Sequence, residues 1–152
     1  MRTIHREIVA ALIFSKDGKL FQGMKNPKDG GVYSDCWHIP GGGVDKNEDH
    51  LSTLVREIKA ETGISIDANA AVLVDDKGIG EAKKILKETG ENVLCKMNFY
   101  VYKILLATNA SETNISLDDD LVKYRCSNLS DLDNLKLTPP SIELFHRLGY
   151  IK

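Results

Sequence analysis

The chain has 152 residues, of which 42% are hydrophobic and 28% charged, and its formal net charge is −2. This length can enclose a hydrophobic core, so we predict a single domain over residues 1–152. The nearly neutral charge provides no basic surface for duplex nucleic acid. No apolar run is long enough to cross a bilayer, and the first residues lack the features of a secretory signal. We therefore expect a cytoplasmic protein that binds neither membranes nor duplex DNA or RNA, and a homodimer is left open.

The three cysteines, Cys36, Cys95 and Cys126, are odd in number and form no Cys-x-x-Cys pair. This spacing predicts reduced thiols and excludes a disulfide framework or a zinc site of the usual kind. Cys36 as a nucleophile is a lesser alternative to Cys36 as a small core residue.

The first third of the chain predicts a β-hairpin followed by a loop. Residues 8–14 are apolar and lead through the turn sequence at 16–18 into a second strand at 19–24. We expect residues 26–35 to form an exposed loop. Residues 36–39 then form a short strand that leads to Pro40 and three glycines.

A helix is predicted next. Asp45 and Glu48 have the spacing of a capping box, which places the start of the helix near Asn47. Thr62-Gly63 supplies a left-handed stop. Four apolar residues recur at helical spacing and should pack on the core: Leu51, Leu54, Val55 and Ile58.

The second half of the chain alternates strands and short helices. We predict a strand at 70–74, a polar segment with a short helix over the site at 75–92, and the central strand of the sheet at 93–106. A strand at 121–126, a turn or short helix at 129–135 and a closing helix at 139–148 complete the chain. This order predicts an α/β fold.

Glu57 and Glu61 are four residues apart and therefore lie on one face of the predicted helix. Two carboxylates at this spacing repel each other slightly, but a hard cation such as Mg²⁺ would reward the arrangement. The alternative is a solvated face on which Arg56 and Lys59 neutralise the acids. The glycines at 41–43 favour the metal interpretation, because an ordinary turn rarely needs three glycines, whereas a close approach of backbone to a ligand does.

Residues 42–64 resemble the signature of the Nudix hydrolases. In register with that signature are Gly42, Glu48, Arg56, Glu57, Ile58, Glu61, Gly63 and Ile64. Only Ala60 departs, since the family has the first glutamate of a Glu-Glu pair there. This departure predicts fewer tightly bound metal ions in the free protein.

The resemblance implies a Nudix-type α/β/α sandwich with a mixed sheet. It also implies a MutT-like pyrophosphohydrolase that attacks a nucleoside diphosphate linked to another moiety with water and Mg²⁺ or Mn²⁺. On this mapping Glu57, Glu61 and the carbonyl of Gly41 bind the metal. Arg56 would hold the glutamates in place, with Glu48 as its ionic partner.

The remaining roles stay open at this point. The family's general base is either a glutamate of the signature or one from a later loop, where the candidates are Glu81, Glu88 and Glu91; we prefer Glu91, because it comes just before a predicted strand. His38 and His50 are the rival acid-base groups.

Gly42 and Gly43 are the predicted substrate-binding residues, and Trp37 or Tyr33 would stack on a base. The alternative function is an inactive Nudix-like module that binds a nucleotide or nucleotide-sugar. Ala60 supports that alternative, whereas the retained Glu57 and Glu61 oppose it.

Overall fold

The computed structural model describes residues 1–26, 33, 35–118 and 120–152. Its strands are β1 (Arg2–Phe14), β2 (Leu20–Lys25), β3 (Gly41–Gly43), β4 (Val72–Ile85), β5 (Asn92–Leu105) and β6 (Leu121–Ser127), and its α-helices are α1 (His50–Thr62) and α2 (Pro139–Leu148). Within these ranges, no helix is long and apolar enough to cross a membrane.

The strands form one mixed sheet in the order β4-β5-β1-β2-β6. β1 runs parallel to β5 over its whole length, while the other pairs are antiparallel. β1 also changes partner along its other side: Phe14 is opposite Leu20 of β2, whereas Ile8 to Ala10 are opposite the three glycines of β3. This change of partner brings the glycines into the middle of the sheet.

The two helices cover opposite faces of β1. Side chains alternate along a strand, so Val9, Ala11 and Ile13 pack with α1 on one face and Ala10, Leu12 and Phe14 pack with α2 on the other. Burial on both faces explains why this strand is apolar without alternation. The α/β/α sandwich with a mixed sheet is thereby confirmed.

The predicted helix within residues 75–92 is wrong. Residues up to Ile85 belong to β4, which pairs with β5, and Leu86 and Glu91 close a turn with Gly90 at a φ of 72°. We call residues 78–99 the arm. Polarity does not exclude a strand here, because the side chains of residues 81–85 are all exposed. The strand at β5 is confirmed, but β1 and not β5 is the central strand.

The helix also starts later than predicted. Asp49 is its N-cap and accepts a hydrogen bond from Ser52 N at 2.7 Å, so the helix begins at His50. Glu48 does not serve as a cap, because its carboxylate is engaged by Thr53 and Arg56. The predicted stop is confirmed, since Gly63 has a φ of 76°. Of the predicted stripe, Leu54 and Ile58 are fully buried, whereas Leu51 and Val55 are half-buried.

The other predicted elements agree with the structure at moderate differences in length. The first hairpin, the strand β6, a 3₁₀ helix at Leu129–Asn134 and the closing helix are all present. Residues 36–39 form only isolated bridges, His38 with Gly23 and Trp37 with Leu137. Most of the predicted loop at 26–35 lies outside the described residues.

Candidate active site

The glycine strand β3 is packed too closely for any side chain. A Cβ on Gly41 would lie 2.1 Å from the carbonyl oxygen of Val9, and one on Gly42 would lie 2.5 Å from Cδ of Glu57. A Cβ on Gly43 would lie 2.1 Å from Nη2 of Arg6. The glycines are therefore needed because backbone meets the carboxylate of α1 on one side and a guanidinium on the other.

Gly41 faces α1 with its backbone. In an antiparallel ladder alternate residues bond the neighbouring strand, and the bonds Ala11 N to Pro40 O and Val44 N to Glu7 O fix this alternation. The N–H of Gly41 accordingly points away from β1, and it donates to Oε1 of Glu61 at 3.2 Å. The same alternation directs the carbonyl of Gly41 away from β1.

Glu61 is a buried acid beside a second acid. Its exposed fraction is 4%, and burial, followed by the charge of Glu57, raises the pKa of its carboxyl to about 8. A hard divalent cation would relieve both effects, because it attracts the charged form of each carboxylate. Glu57, Glu61 and the Gly41 carbonyl thus suit Mg²⁺ or Mn²⁺. Within the described part of the chain, no three His, Cys, Asp or Glu side chains lie close enough to hold a metal together, so water or substrate would complete the shell.

Arg56 links Glu48, which precedes α1, to Glu57, which lies on α1. It donates to both carboxylate oxygens of Glu48, at 3.0 and 2.8 Å, and its Nη1 donates to Oε1 of Glu57 at 2.8 Å. Arg56 and the Thr53 hydroxyl lower the pKa of Glu48 to about 2. The Glu48 to Arg56 pairing expected from the signature is present, and it orients Glu57 toward the glycines.

A cavity of about 430 Å³ opens beside β3. Its walls include the glycines, Phe99 and Met97 of the arm and Leu144 of α2. Arg147 of α2 also lines it and binds the buried Asp75 of β4 through two hydrogen bonds, at 3.0 and 2.9 Å. This ion pair ties α2 to the sheet at the wall of the cavity. The space, mainly apolar with charged residues in its wall, suits a nucleoside joined to phosphates.

The aromatic and histidine candidates separate into two groups. Tyr33 and His38 line the cavity. His38 Nδ1 lies 3.1 Å from the carbonyl oxygen of Ile39, which can only accept, so Nδ1 carries the proton and the buried Nε2 is an acceptor. Burial lowers the pKa of His38, which keeps the ring neutral. Trp37, in contrast, packs against the α2 core and under Arg125, so its predicted stacking on a base is not supported.

His50 and Cys36 are held in structural positions. His50 contacts Glu7 at 2.9 Å and the Tyr102 hydroxyl at 3.3 Å, and it is not among the residues of the cavity wall. Burial, together with Asp35, raises the pKa of the Cys36 thiol, which disfavours the nucleophilic thiolate. Neither residue lies where a substrate would react.

The structure places Glu91 away from the glycine strand, so its position does not favour the predicted role as general base, which stays a prediction. Its carboxylate binds Arg2 at 3.0 and 2.9 Å. Arg2 is six residues along β1 from Ile8, the partner of Gly43, which corresponds to roughly 20 Å. Glu81 pairs with Lys96 on the arm, and Glu88 is exposed at its tip. Sequence proximity to a strand was misleading, because β5 begins at the end of the arm far from the glycines.

Three charged residues near the site were not predicted from the sequence. The charge of Asp118 acts on Glu61, as does that of Lys25, which also lines the cavity. Arg6 touches Gly43. The acidic run at 118–120 before β6 is a signal that could have indicated Asp118, and Asp119 lies outside the described residues.

Comparison with known proteins agrees with this architecture. The family described as the NUDIX domain matches residues 4–148. RNA pyrophosphohydrolases of Hydrogenovibrio crunogenus and Bartonella henselae are 38% identical over 60 residues and 36% identical over 64 residues. Each match covers 40% of this chain, and it spans only about a third of the relative, 33% and 36% respectively.

Solved structures support the fold across the chain. A MutT protein from Methanosarcina mazei Go1 has a TM-score of 0.68 at 20% identity and covers 98% of this chain and 96% of its own. The dihydroneopterin triphosphate pyrophosphohydrolase of E. coli has a TM-score of 0.64 at 16% identity, with 93% and 92% covered. Because the family match runs from β1 to α2 and includes the glycine strand and α1, the chain belongs to the Nudix family.

Proposed function

We propose that this protein is a divalent-metal-dependent hydrolase that cleaves a pyrophosphate bond in a nucleoside diphosphate linked to another moiety, such as a nucleoside triphosphate. The observation that carries the proposal is the buried carboxylate of Glu61, held by the Gly41 N–H beside Glu57. The glycine strand that contacts these acids also lines the 430 Å³ cavity. A pair of acids at a phosphate site needs a cation, because otherwise it would repel the substrate.

The metal-binding groups in this proposal are the carboxylates of Glu57 and Glu61 and the carbonyl of Gly41. Mg²⁺ or Mn²⁺ bound there would polarise the phosphate and make a bound water more acidic. Arg56 keeps the carboxylate of Glu57 directed toward β3 through its own pairing with Glu48. Arg56 is thus a positioning residue.

The phosphates would approach along β3, at Gly42 and Gly43, which carry no side chains of their own. Arg6 and Lys25 flank this strand and offer positive charge to the phosphate oxygens. The nucleoside would then lie in the cavity between the arm and α2. The ring of Phe99 is available there for apolar contact.

Asp118 replaces Glu91 as our candidate for the general base, the carboxylate that takes a proton from water. It is exposed, and its charge acts on the carboxyl of Glu61. A carboxylate with access to solvent can pass the proton on after each turnover. A glutamate of α1 is the alternative acceptor.

The test is a release assay for phosphate and pyrophosphate over a nucleotide panel, with Mg²⁺, with Mn²⁺ and with a chelator. A short RNA with a 5′-triphosphate belongs in the panel, because proteins named RNA pyrophosphohydrolases match this chain. We expect turnover of at least one compound that the chelator abolishes. A cytoplasmic location stays a prediction.

The alternative function has its own result in the same experiment. Nucleotides that raise the melting temperature without any product release would identify a binding module, for which the alanine at position 60 is the supporting feature. Turnover that persists in the chelator would contradict the metal-dependent proposal. A Glu57→Gln variant serves as the matched control for contaminating activity.

A further inference from the structure

The outer edge of β4 is the most exposed strand edge of the arm. β4 is the last strand of the sheet, and within the described residues no strand pairs with its outer side. From Gly78, opposite Phe99, to Ile85, opposite Asn92, its pairing with β5 has no register shift. The edge is therefore free of β-bulges over residues 78–85.

The hydrogen-bond alternation shows which backbone groups are directed outward. Leu86 N donates to Glu91 O at 2.9 Å, which marks an even-numbered residue of this strand as bonded to its neighbour. The odd-numbered residues then direct their N–H and C=O groups away from the sheet: Ile79, Glu81, Lys83 and Ile85. An edge with a row of such groups is a template for another strand.

The side chains of these four residues are complementary when the segment is paired antiparallel with a copy of itself. Ile79 is 75% exposed and Ile85 is 64% exposed, and between them stand Glu81 and Lys83. If a second copy runs antiparallel about a two-fold axis at Ala82, each Ile79 faces the Ile85 of the other copy. Each Glu81 then faces a Lys83.

Other axes lack this complementarity. An axis at residue 81 puts two copies of Glu81 opposite each other, and an axis at residue 83 does the same for Lys83. Like charges directly opposite destabilise a strand pair, whereas opposite charges and apolar pairs stabilise it. The axis at Ala82 also puts the outward backbone groups of each copy opposite those of the other.

We propose that the protein forms a symmetric dimer in which β4 pairs antiparallel with β4 of a second copy, with the two-fold axis at Ala82. The two sheets become one continuous sheet through the arms. The paired segment is short, so the interface is at the small end of specific interfaces, and a dissociation constant on the order of 1–100 μM is expected.

Sedimentation velocity of the purified full chain at about 1 to 300 μM tests the dimer, and charge variants test its register. Glu81→Lys places two lysines opposite each other across the interface, and Lys83→Glu places two glutamates opposite each other, so each variant should weaken association by about tenfold. The double variant Glu81→Lys/Lys83→Glu restores opposite charges and should recover the dimer. Lys84→Glu is the matched control, because it makes the same charge change opposite Gly80 of the other copy.

Cross-linking locates the axis independently. Cys95 lies opposite Ala82 on β5, so Ala82→Cys is made in a Cys95→Ala background. Residues opposite each other across an antiparallel pair are close enough for a disulfide, so oxidation should give a covalent dimer. Lys84→Cys in the same background should not cross-link, because its partner is Gly80.

Two results would overturn the proposal. One is a monomer at every concentration together with no cross-link through position 82. The other is a dimer that neither single charge variant weakens, which would place the interface elsewhere. Circular dichroism of each variant shows that it is folded before its association is interpreted.

Discussion

The glutamates of α1 and the glutamates of the arm have different surroundings. Glu61 is 4% exposed and bonded to backbone, and Glu57 is held by Arg56 next to the glycines. On the arm, Glu81 and Glu91 have side-chain exposures of 59% and 39%, and each pairs with one exposed cation. Burial beside a like charge, which costs free energy without a ligand, distinguishes a functional acid from a surface acid.

The largest expected effect is the difference in activity between variants of Glu57 and of Glu91. Glu57→Gln should lower kcat/KM at least about a hundredfold, because in the proposed function it removes a charged metal ligand beside the reacting phosphate. Glu91→Gln changes a group bonded only to Arg2 and should stay within about threefold of the parent. Steady-state kinetics on the best substrate of the panel measures both. Equal losses in the two variants would remove the distinction between the regions.

Asp118→Asn should come next, with a loss of kcat on the order of ten- to a hundredfold and little change in KM. The reason is that its charge reaches Glu61 and its side chain is accessible to water. Full activity of Asp118→Asn would return the role of base to a glutamate of α1.

The pH dependence of stability should show the raised pKa of Glu61. Its pKa is raised from 4.5 to about 8, so the native protein holds this proton more tightly than the unfolded chain does. Without metal, the contribution of this group to stability is therefore present at low pH and is lost as the pH rises from 4.5 toward 8. Melting curves at pH 5.5 and 8 should show a larger fall for the parent than for Glu61→Gln, and Mg²⁺ should reverse that fall only in the parent.

A smaller effect is expected at position 60, where an exposed alanine replaces the glutamate of the family signature. Ala60→Glu should melt slightly lower without metal, since it adds a third acid, and should gain more from Mg²⁺, since a ligand for the folded state stabilises it. Ala60→Gln controls for side-chain size. The same Mg²⁺-induced rise in the parent and in Ala60→Glu would show that position 60 does not reach the metal.

The smallest effect should come from the pair that holds Glu91. Arg2→Ala removes an exposed ion pair, which solvent and salt screen, so its melting temperature should change by less than about 2 °C. Arg56→Ala is the contrasting variant, because it releases both Glu48 and Glu57. A loss of activity with Arg2→Ala would connect the arm to catalysis.

Much of the fold followed from local sequence, and the reasons are specific. The apolar run of β1, the turn before β2 and the glycine stop of α1 each determine structure through nearby residues. The arm could not be predicted in this way. Its residues are polar, and its strand conformation depends on cross-strand pairing with β5.

For the site, the sequence by itself determined the glycines and the positions of Glu57 and Glu61 on one helix face, and the resemblance to the Nudix signature implied the pairing of Arg56 with Glu48. These relations act over one or two helical turns or through a fixed motif, so spacing is sufficient. Only the tertiary structure decided that Glu91 lies with Arg2, that Trp37 packs against the core, and that Asp118 acts on Glu61. Those relations join residues far apart in the chain, and they depend on sheet register, which no local pattern specifies.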